Sequence, residues 1–314
     1  MIWLTLTLIL LFLLTLPVTS LCLVVRALGA FRKRAPESLS DKRVNDRNRG
    51  FYAAGIKGRE DALSRPKEGL EVVSQDGKIL RGSLFRTGPG HRKVVISFHG
   101  YRGWAFIGMG RFLGMYEAAG LDVLLIDERA QGASGGRWCT MGVLESADGV
   151  LWCRKIVELY GEDVRILLHG TSMGGAAVDM MASREDLPAQ VKGVVSDCAF
   201  DDVREVVYAK VPKFRFVAKI TLCLMRFWAR ILTGVDLFKA APLQTIPRAG
   251  VPVLFIHGTA DTLVPCGMSK RLHGACPHSA GLYLVEGAPH AGSWHTDPEG
   301  YSAVFSGFAG DVLG

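Results

Sequence analysis

The chain has 314 residues, 49% hydrophobic and 21% charged, with a formal net charge of +7. That is long enough for one large domain plus an appendage. The seven cysteines, odd in number and without C-x-x-C spacing, agree with a reducing compartment and offer no metal motif.

The charge is unevenly spread. Residues 26–49 hold eight basic and three acidic side chains and residues 204–230 hold seven and one, which leaves the rest of the chain at −4. A nucleic-acid binder would carry a basic patch with a recognition motif on its folded body, so no nucleic-acid partner is expected. Two basic segments instead fit anionic lipid headgroups or an ordinary solvated surface.

In chain order, residues 2–25, "IWLTLTLILLFLLTLPVTSLCLVV", carry no charge and are long enough for a bilayer core of roughly 30 Å. A cleaved signal peptide would want a positive n-region and a shorter apolar stretch. The expectation is an N-terminal transmembrane helix, a signal anchor over residues 1–26, followed by a basic juxtamembrane linker over 27–68. Arg26, Arg32, Lys33 and Arg34 just beyond the span favour a cytoplasmic soluble domain by the positive-inside rule, although signal anchors can defy so modest a charge bias.

The body, residues 69–314, opens with two β-type runs joined by Asp76-Gly77, a hairpin signal. Short apolar runs follow at 93–98, 121–127, 164–169, 191–197 and 251–257, with helix-like segments at about 105–119, 144–160, 173–186 and 266–275. Such alternation implies parallel βαβ units, a sheet covered on both faces, and reactive residues gathered at the carboxyl ends of the strands.

Gly170-Thr171-Ser172-Met173-Gly174 fits G-x-S-x-G, a cheap pattern in a chain with 37 glycines. A second match centres on Ser134. Context separates them: a nucleophile on a strained turn needs a strand running directly in and a helix running directly out. Ser172 has both, whereas Ser134 sits in a loop with no helix following. A serine needs a base, and the base needs an acid to orient it. Of eight histidines, His290 lies on a Gly/Pro-rich loop after the last strand-like run, with His295 its near rival; His99, His169 and His257 read as packed or locally bonded. For the acid, Asp261 follows strand 251–257, and Asp197 after the preceding strand is the alternative. Two backbone N–H groups are expected to form the oxyanion hole, those of Met173 and Tyr101.

"HGYRG" at 99, "DERAQGASGG" at 127, "MGVLESAD" at 141, "GTSMGG" at 170, "HGTADTLVP" at 257 and "PHAGSWHTDPEGY" at 289 together resemble the α/β-hydrolase superfamily. They resemble in particular the bacterial membrane-anchored or secreted α/β-hydrolases related to the serine aminopeptidase-like and prolyl-oligopeptidase-like branches. Glu128 and Ala130-Gln131 depart from the commoner D-x-R-G-x-G spelling, which bears on loop packing. The resemblance implies an α/β fold with a mostly parallel central sheet flanked by helices, and acyl transfer to water without metal or organic cofactor.

The stretch at about 200–246 is too long for a simple crossover and shows helical-period apolar residues among basic ones, so a cap of about two helices is expected. The expected substrate is a small-molecule carboxylic ester, with an acyl lipid drawn from the membrane as the sharper form. A peptidase or amidase on the same triad, and a membrane interaction protein on a hydrolase scaffold, are the other readings.

Overall fold

The computed structural model describes residues 2–29, 38–41, 44, 49–88 and 90–314, and within these the side chains of residues 2, 4–14 and 51 lie outside the description. Eight strands, β1 (Glu68–Val73), β2 (Ile79–Phe85), β3 (Lys93–Phe98), β4 (Asp122–Ile126), β5 (Arg165–Thr171), β6 (Val191–Asp197), β7 (Val253–Gly258) and β8 (Ser279–Val285), form one sheet. Their order is β1-β2-β4-β3-β5-β6-β7-β8. The β1–β2 and β2–β4 pairs are antiparallel and all others parallel. Gly77 takes φ +74° at the β1–β2 turn, a conformation that suits glycine.

The helices are α1 (Ile2–Leu28), α2 (Arg49–Ser64), α3 (Leu113–Ala118), α4 (Val143–Tyr160), α5 (Met173–Met181), α6 (Val203–Lys210), α7 (Arg215–Thr233), α8 (Pro242–Thr245), α9 (Gly267–Ala275), α10 (Ser293–Thr296) and α11 (Pro298–Leu313). Alternation along the buried strands divides the core in two. Ile96, Leu124 and Leu168 face Trp152 and Ile156 of α4 and Met181 of α5. Val95, Val123 and Leu167 face Tyr116 of α3 and Phe305 of α11. Burial on both faces is what the unbroken apolar runs required.

Four expectations are corrected. The span 27–68 is not only a linker, since α2 occupies its second half and packs on the domain. A Cβ on Gly55 would lie 2.9 Å from Ile107 O, and one on Gly58 would lie 2.3 Å from Arg111 N. The two glycines thus let α2 approach a neighbouring backbone, which composition did not announce. That neighbour is the segment expected as a helix over 105–119. It is broken into a π turn (Ala105–Met109), a 3₁₀ turn (Gly110–Phe112) and α3, because Gly108 packs against His99, where a Cβ would lie 2.8 Å from the His99 Cβ, and Gly110 against Gly58. Third, α5 stops at Met181, short of 186.

The fourth concerns the anchor. Among the described residues no helix is long and apolar enough to cross a membrane. The apolar run does form a helix, but its carboxyl half is docked on protein. Ser20, Val24 and Leu28 are buried, and the Trp228 indole N–H on α7 reaches Pro17 O at 3.1 Å and Ser20 Oγ at 3.2 Å.

The segment 200–246 folds as α6 and α7 with short turns around them. Four of its basic side chains are held in ion pairs. Arg226 and Arg230 share Asp236, Arg215 meets Glu205 at 2.9 Å and Arg204 meets Asp202. The positive stretch therefore presents less charge outward than its count implies, with Lys213 and Lys219 exposed.

Candidate active site

Strand β5 runs into Ser172 and α5 leaves directly after it. Ser172 takes φ 58° and ψ −112°, a strained conformation that persists only where surroundings impose it. They do so by crowding. A Cβ on Gly170 would lie 2.2 Å from Gly174 O, and one on Gly174 would lie 2.3 Å from Phe98 O. The two glycines of the motif are thus steric requirements of the turn. Ser172 N also donates to Asp197 O at 2.7 Å, tying the turn to β6.

The structure brings the three expected side chains together. His290 Nε2 lies 2.9 Å from Ser172 Oγ, and His290 Nδ1 lies 2.6 Å from Asp261 Oδ2. Asp261 Oδ1 accepts the backbone N–H groups of Leu263 and Val264, both at 2.8 Å. With a carboxylate at Nδ1, the proton of a neutral imidazole sits there, which leaves Nε2 to accept from the serine hydroxyl. Burial pushes the Asp261 carboxyl upward, but hydrogen bonds from His257 and His290 and from the Val264 backbone outweigh it and hold the group well below the usual carboxylate range. The loops after β7 and β8 are laced together. Thr259 N bonds Val285 O at 2.9 Å, Ala260 N bonds Ala288 O at 3.1 Å, and Gly287 N bonds Thr259 Oγ1 at 2.9 Å.

The rivals stand elsewhere. Asp197, fully buried, accepts from the Tyr301 hydroxyl at 3.2 Å, and burial raises its pKa against the pull of Arg111. His295 on α10 sits beside Gly50, where a Cβ would lie 2.3 Å from its Nε2. Ser134 Oγ donates to Asp127 O at 2.5 Å and accepts from Arg81 N at 2.8 Å, holding a loop together. His169 is wedged between the Tyr116 and Tyr301 hydroxyls, and burial pushes its pKa down to about 3.

The loop after β3 lies against the serine, for a Cβ on Gly100 would sit 3.4 Å from Ser172 Cβ. Tyr101 follows it. Among the described residues neither the Tyr101 nor the Met173 backbone N–H is bonded to a protein acceptor, while the Tyr101 phenol donates to Ala27 O.

Two residues beside Asp261 were given no part in the site from sequence, His257 having been expected only as packed or locally bonded, which it is. His257 presents Nε2 to Val264 O at 2.9 Å and to Asp261 Oδ2 at 3.2 Å, and Nδ1 to Ser269 Oγ at 2.7 Å. Both Nε2 neighbours are acceptors, so Nε2 carries the proton and His257 supports Asp261. Cys198 is the other: its Sγ and donor atoms of Asp261 and His290 lie within 4.8 Å of one another. A metal there would compete with the His290–Asp261 hydrogen bond, and burial raises the thiol's pKa well above normal, against the thiolate a metal needs. No local signal marks Cys198, which is one residue past β6 in an unremarkable "SDCAF".

An eight-stranded, mostly parallel sheet flanked by helices, with a strained serine between the fifth strand and its helix, defines an α/β-hydrolase fold. No family model matches the chain. It is 22% identical to the Pyrococcus furiosus esterase Pf2001, with a TM-score of 0.65 over 81% of this chain and 95% of that one. The uncharacterized protein YqkD of Bacillus subtilis is 26% identical over 203 residues, which are 63% of this chain and 65% of that protein, a little under two thirds of its length. The uncharacterized membrane protein YNL320W of Saccharomyces cerevisiae is 26% identical over 165 residues, 52% of each chain.

Proposed function

We propose that the protein is a serine hydrolase that cleaves a carboxylic ester through an acyl-enzyme intermediate. The observation that carries the reading is the continuous relay from Ser172 Oγ through His290 to Asp261. In the first half-reaction Ser172 Oγ attacks the ester carbonyl while its proton passes to His290 Nε2, and Asp261 stabilises the imidazolium. The oxygen, now negative, is held by the Tyr101 and Met173 backbone N–H groups, each worth about 3 kcal/mol. Collapse of the adduct expels the alcohol with the proton from His290, and water then releases the acid by the same steps reversed. None of these steps calls on a metal or organic cofactor. The structural likeness to an esterase supports the same reading.

The test is labelling with a fluorophosphonate and turnover of an ester panel with matched amides. Label and turnover lost together in Ser172→Ala support the proposal, and label retained in that variant refutes it. Faster turnover of the amides would assign the triad to a peptidase or amidase.

Association with an anionic membrane surface is proposed as well. On α7, Phe216 (76% exposed), Ile220 and Phe227 stand in solvent beside Lys213 and Lys219, a combination suited to the headgroup region. The yeast relative, a membrane protein by description, agrees. Co-sedimentation with vesicles of anionic against zwitterionic phospholipid checks it, and equal absence from both pellets removes it.

A further inference from the structure

The carboxyl end of α1 reaches the rim around Ser172. Three successive carbonyls there are taken by neighbouring loops: Arg102 Nη2 donates to Arg26 O, the Tyr101 hydroxyl to Ala27 O and Cys139 N to Leu28 O at 2.7 Å. The negative end of the helix dipole suits the Arg102 guanidinium. Cys139 Sγ in turn lies 3.3 Å from Met173 Sδ. So α1 is bonded to, or one residue removed from, both residues whose backbone N–H groups are read as the oxyanion hole. Higher up, α1 is pinned to α7 through Trp228.

Between these two attachments lies a cavity of about 630 Å³, lined among others by Leu23 and Ala27 of α1, by Tyr101, and by Val217, Leu222 and Met225 of α7. Its volume is that of a small-molecule site, and its lining is predominantly hydrocarbon. The cavity reaches the site through Tyr101 and Arg102 of the loop after β3, whereas neither Ser172 nor any residue of the Asp261 or His290 loops lines it. In an ester hydrolysis the alcohol must leave where His290 Nε2 can protonate it, so the cavity on the oxyanion-loop side falls to the acyl half of the substrate.

We propose that this cavity binds the acyl chain, that α1 is one of its walls, and that the substrates are esters of medium- or long-chain fatty acids whose length α1 helps to select. The inference rests on the reading of Ser172 as nucleophile. An N-terminal helix expected only to tether the protein thereby becomes a specificity element.

The full chain is assayed on p-nitrophenyl esters from acetate to decanoate, with active sites counted by a short-chain fluorophosphonate. Each methylene entering the cavity raises kcat/KM by about fourfold until it is filled. Leu23→Trp on α1 and Val217→Trp on α7, made separately, each lower the decanoate-to-butyrate ratio of kcat/KM at least tenfold. Leu23 is 45% exposed, and Leu23→Ala, which crowds nothing, shifts the optimum to longer chains even if the tryptophan variant fails to fold. A flat chain-length profile in the parent overturns the acyl site. A response to Val217→Trp with none to either Leu23 variant overturns the role of α1. Absence of both ester turnover and Ser172 labelling is the separate failure of the hydrolase reading itself.

Discussion

The two sides of Ser172 are built on different physics. On the side of the β7 and β8 loops, polar atoms converge: Asp261 takes two backbone N–H groups and two imidazoles, and the loops are sewn together by main-chain bonds. On the side of α1 and α7 the contacts are mostly apolar, with ion pairs at the edge of the cap and large hydrophobic residues left in water. Directional bonds hold reacting groups to within tenths of an ångström, as proton transfer demands. Non-directional packing defines a volume and leaves orientation loose, which suits the recognition of a flexible chain. The first side is therefore expected to govern rate and the second selectivity.

The largest expected effect tests that division within the polar side. Asp261→Asn removes the charge that stabilises the imidazolium and lowers kcat/KM for esters by about 10³–10⁴-fold. Asp197→Asn, at the end of the neighbouring strand but bonded to Tyr301, costs far less in rate. Steady-state kinetics on the pair would reverse the assignment of the acid if Asp197→Asn proved the more damaging.

Next comes backbone crowding. Gly174→Ala would place a Cβ 2.3 Å from Phe98 O, and lowers stability by about 2–4 kcal/mol. Thermal unfolding measures it, and an unchanged Tm would mean that the turn is not sterically imposed.

A third prediction concerns pH. Burial pushes the Asp179 carboxyl, which accepts from Ser196 Oγ at 2.9 Å, up to about 8. The folded state then binds a proton that the unfolded chain releases near pH 4. This contribution is fully present below pH 4 and is lost as pH rises toward 8, with a slope of up to about 1.4 kcal/mol per pH unit. Asp179→Asn flattens that part of the profile and is the more stable protein at pH 8, which urea unfolding at pH 5 and pH 8 checks.

The smallest effect lies on the apolar side. Phe216→Ser alters stability by no more than about 0.5 kcal/mol, because the ring is already in water. If it weakens vesicle binding at unchanged Tm, the exposed face serves association alone. A large fall in Tm would show that Phe216 is part of the core.

Much of the fold was readable because its causes are local. The hairpin at Asp76-Gly77, the apolar runs of β3 to β7 and the strand–serine–helix sequence at 172 each follow from turn chemistry, periodicity and the small residues a tight turn demands. That His290 comes close to Ser172 was readable from its place on a Gly/Pro-rich loop after the last strand. The misses share another cause. Gly55 and Gly58 look like weak spots in a linker until a second backbone is seen lying against them. Likewise, Arg226 and Arg230 look like lipid-facing charge until Asp236 is seen between them.

The amino-acid order by itself determined that a buried strand must break at Ser172 and restart as a helix, and that a base and an acid lay downstream in loops. Those are consequences of neighbours within a few residues. Only the tertiary structure brought Asp261 and not Asp197 to His290, set His257 behind Asp261 and laid the end of α1 on the loop after β3. Such choices depend on which strand ends abut in the sheet and on close approaches between segments tens to hundreds of residues apart, which no local pattern encodes.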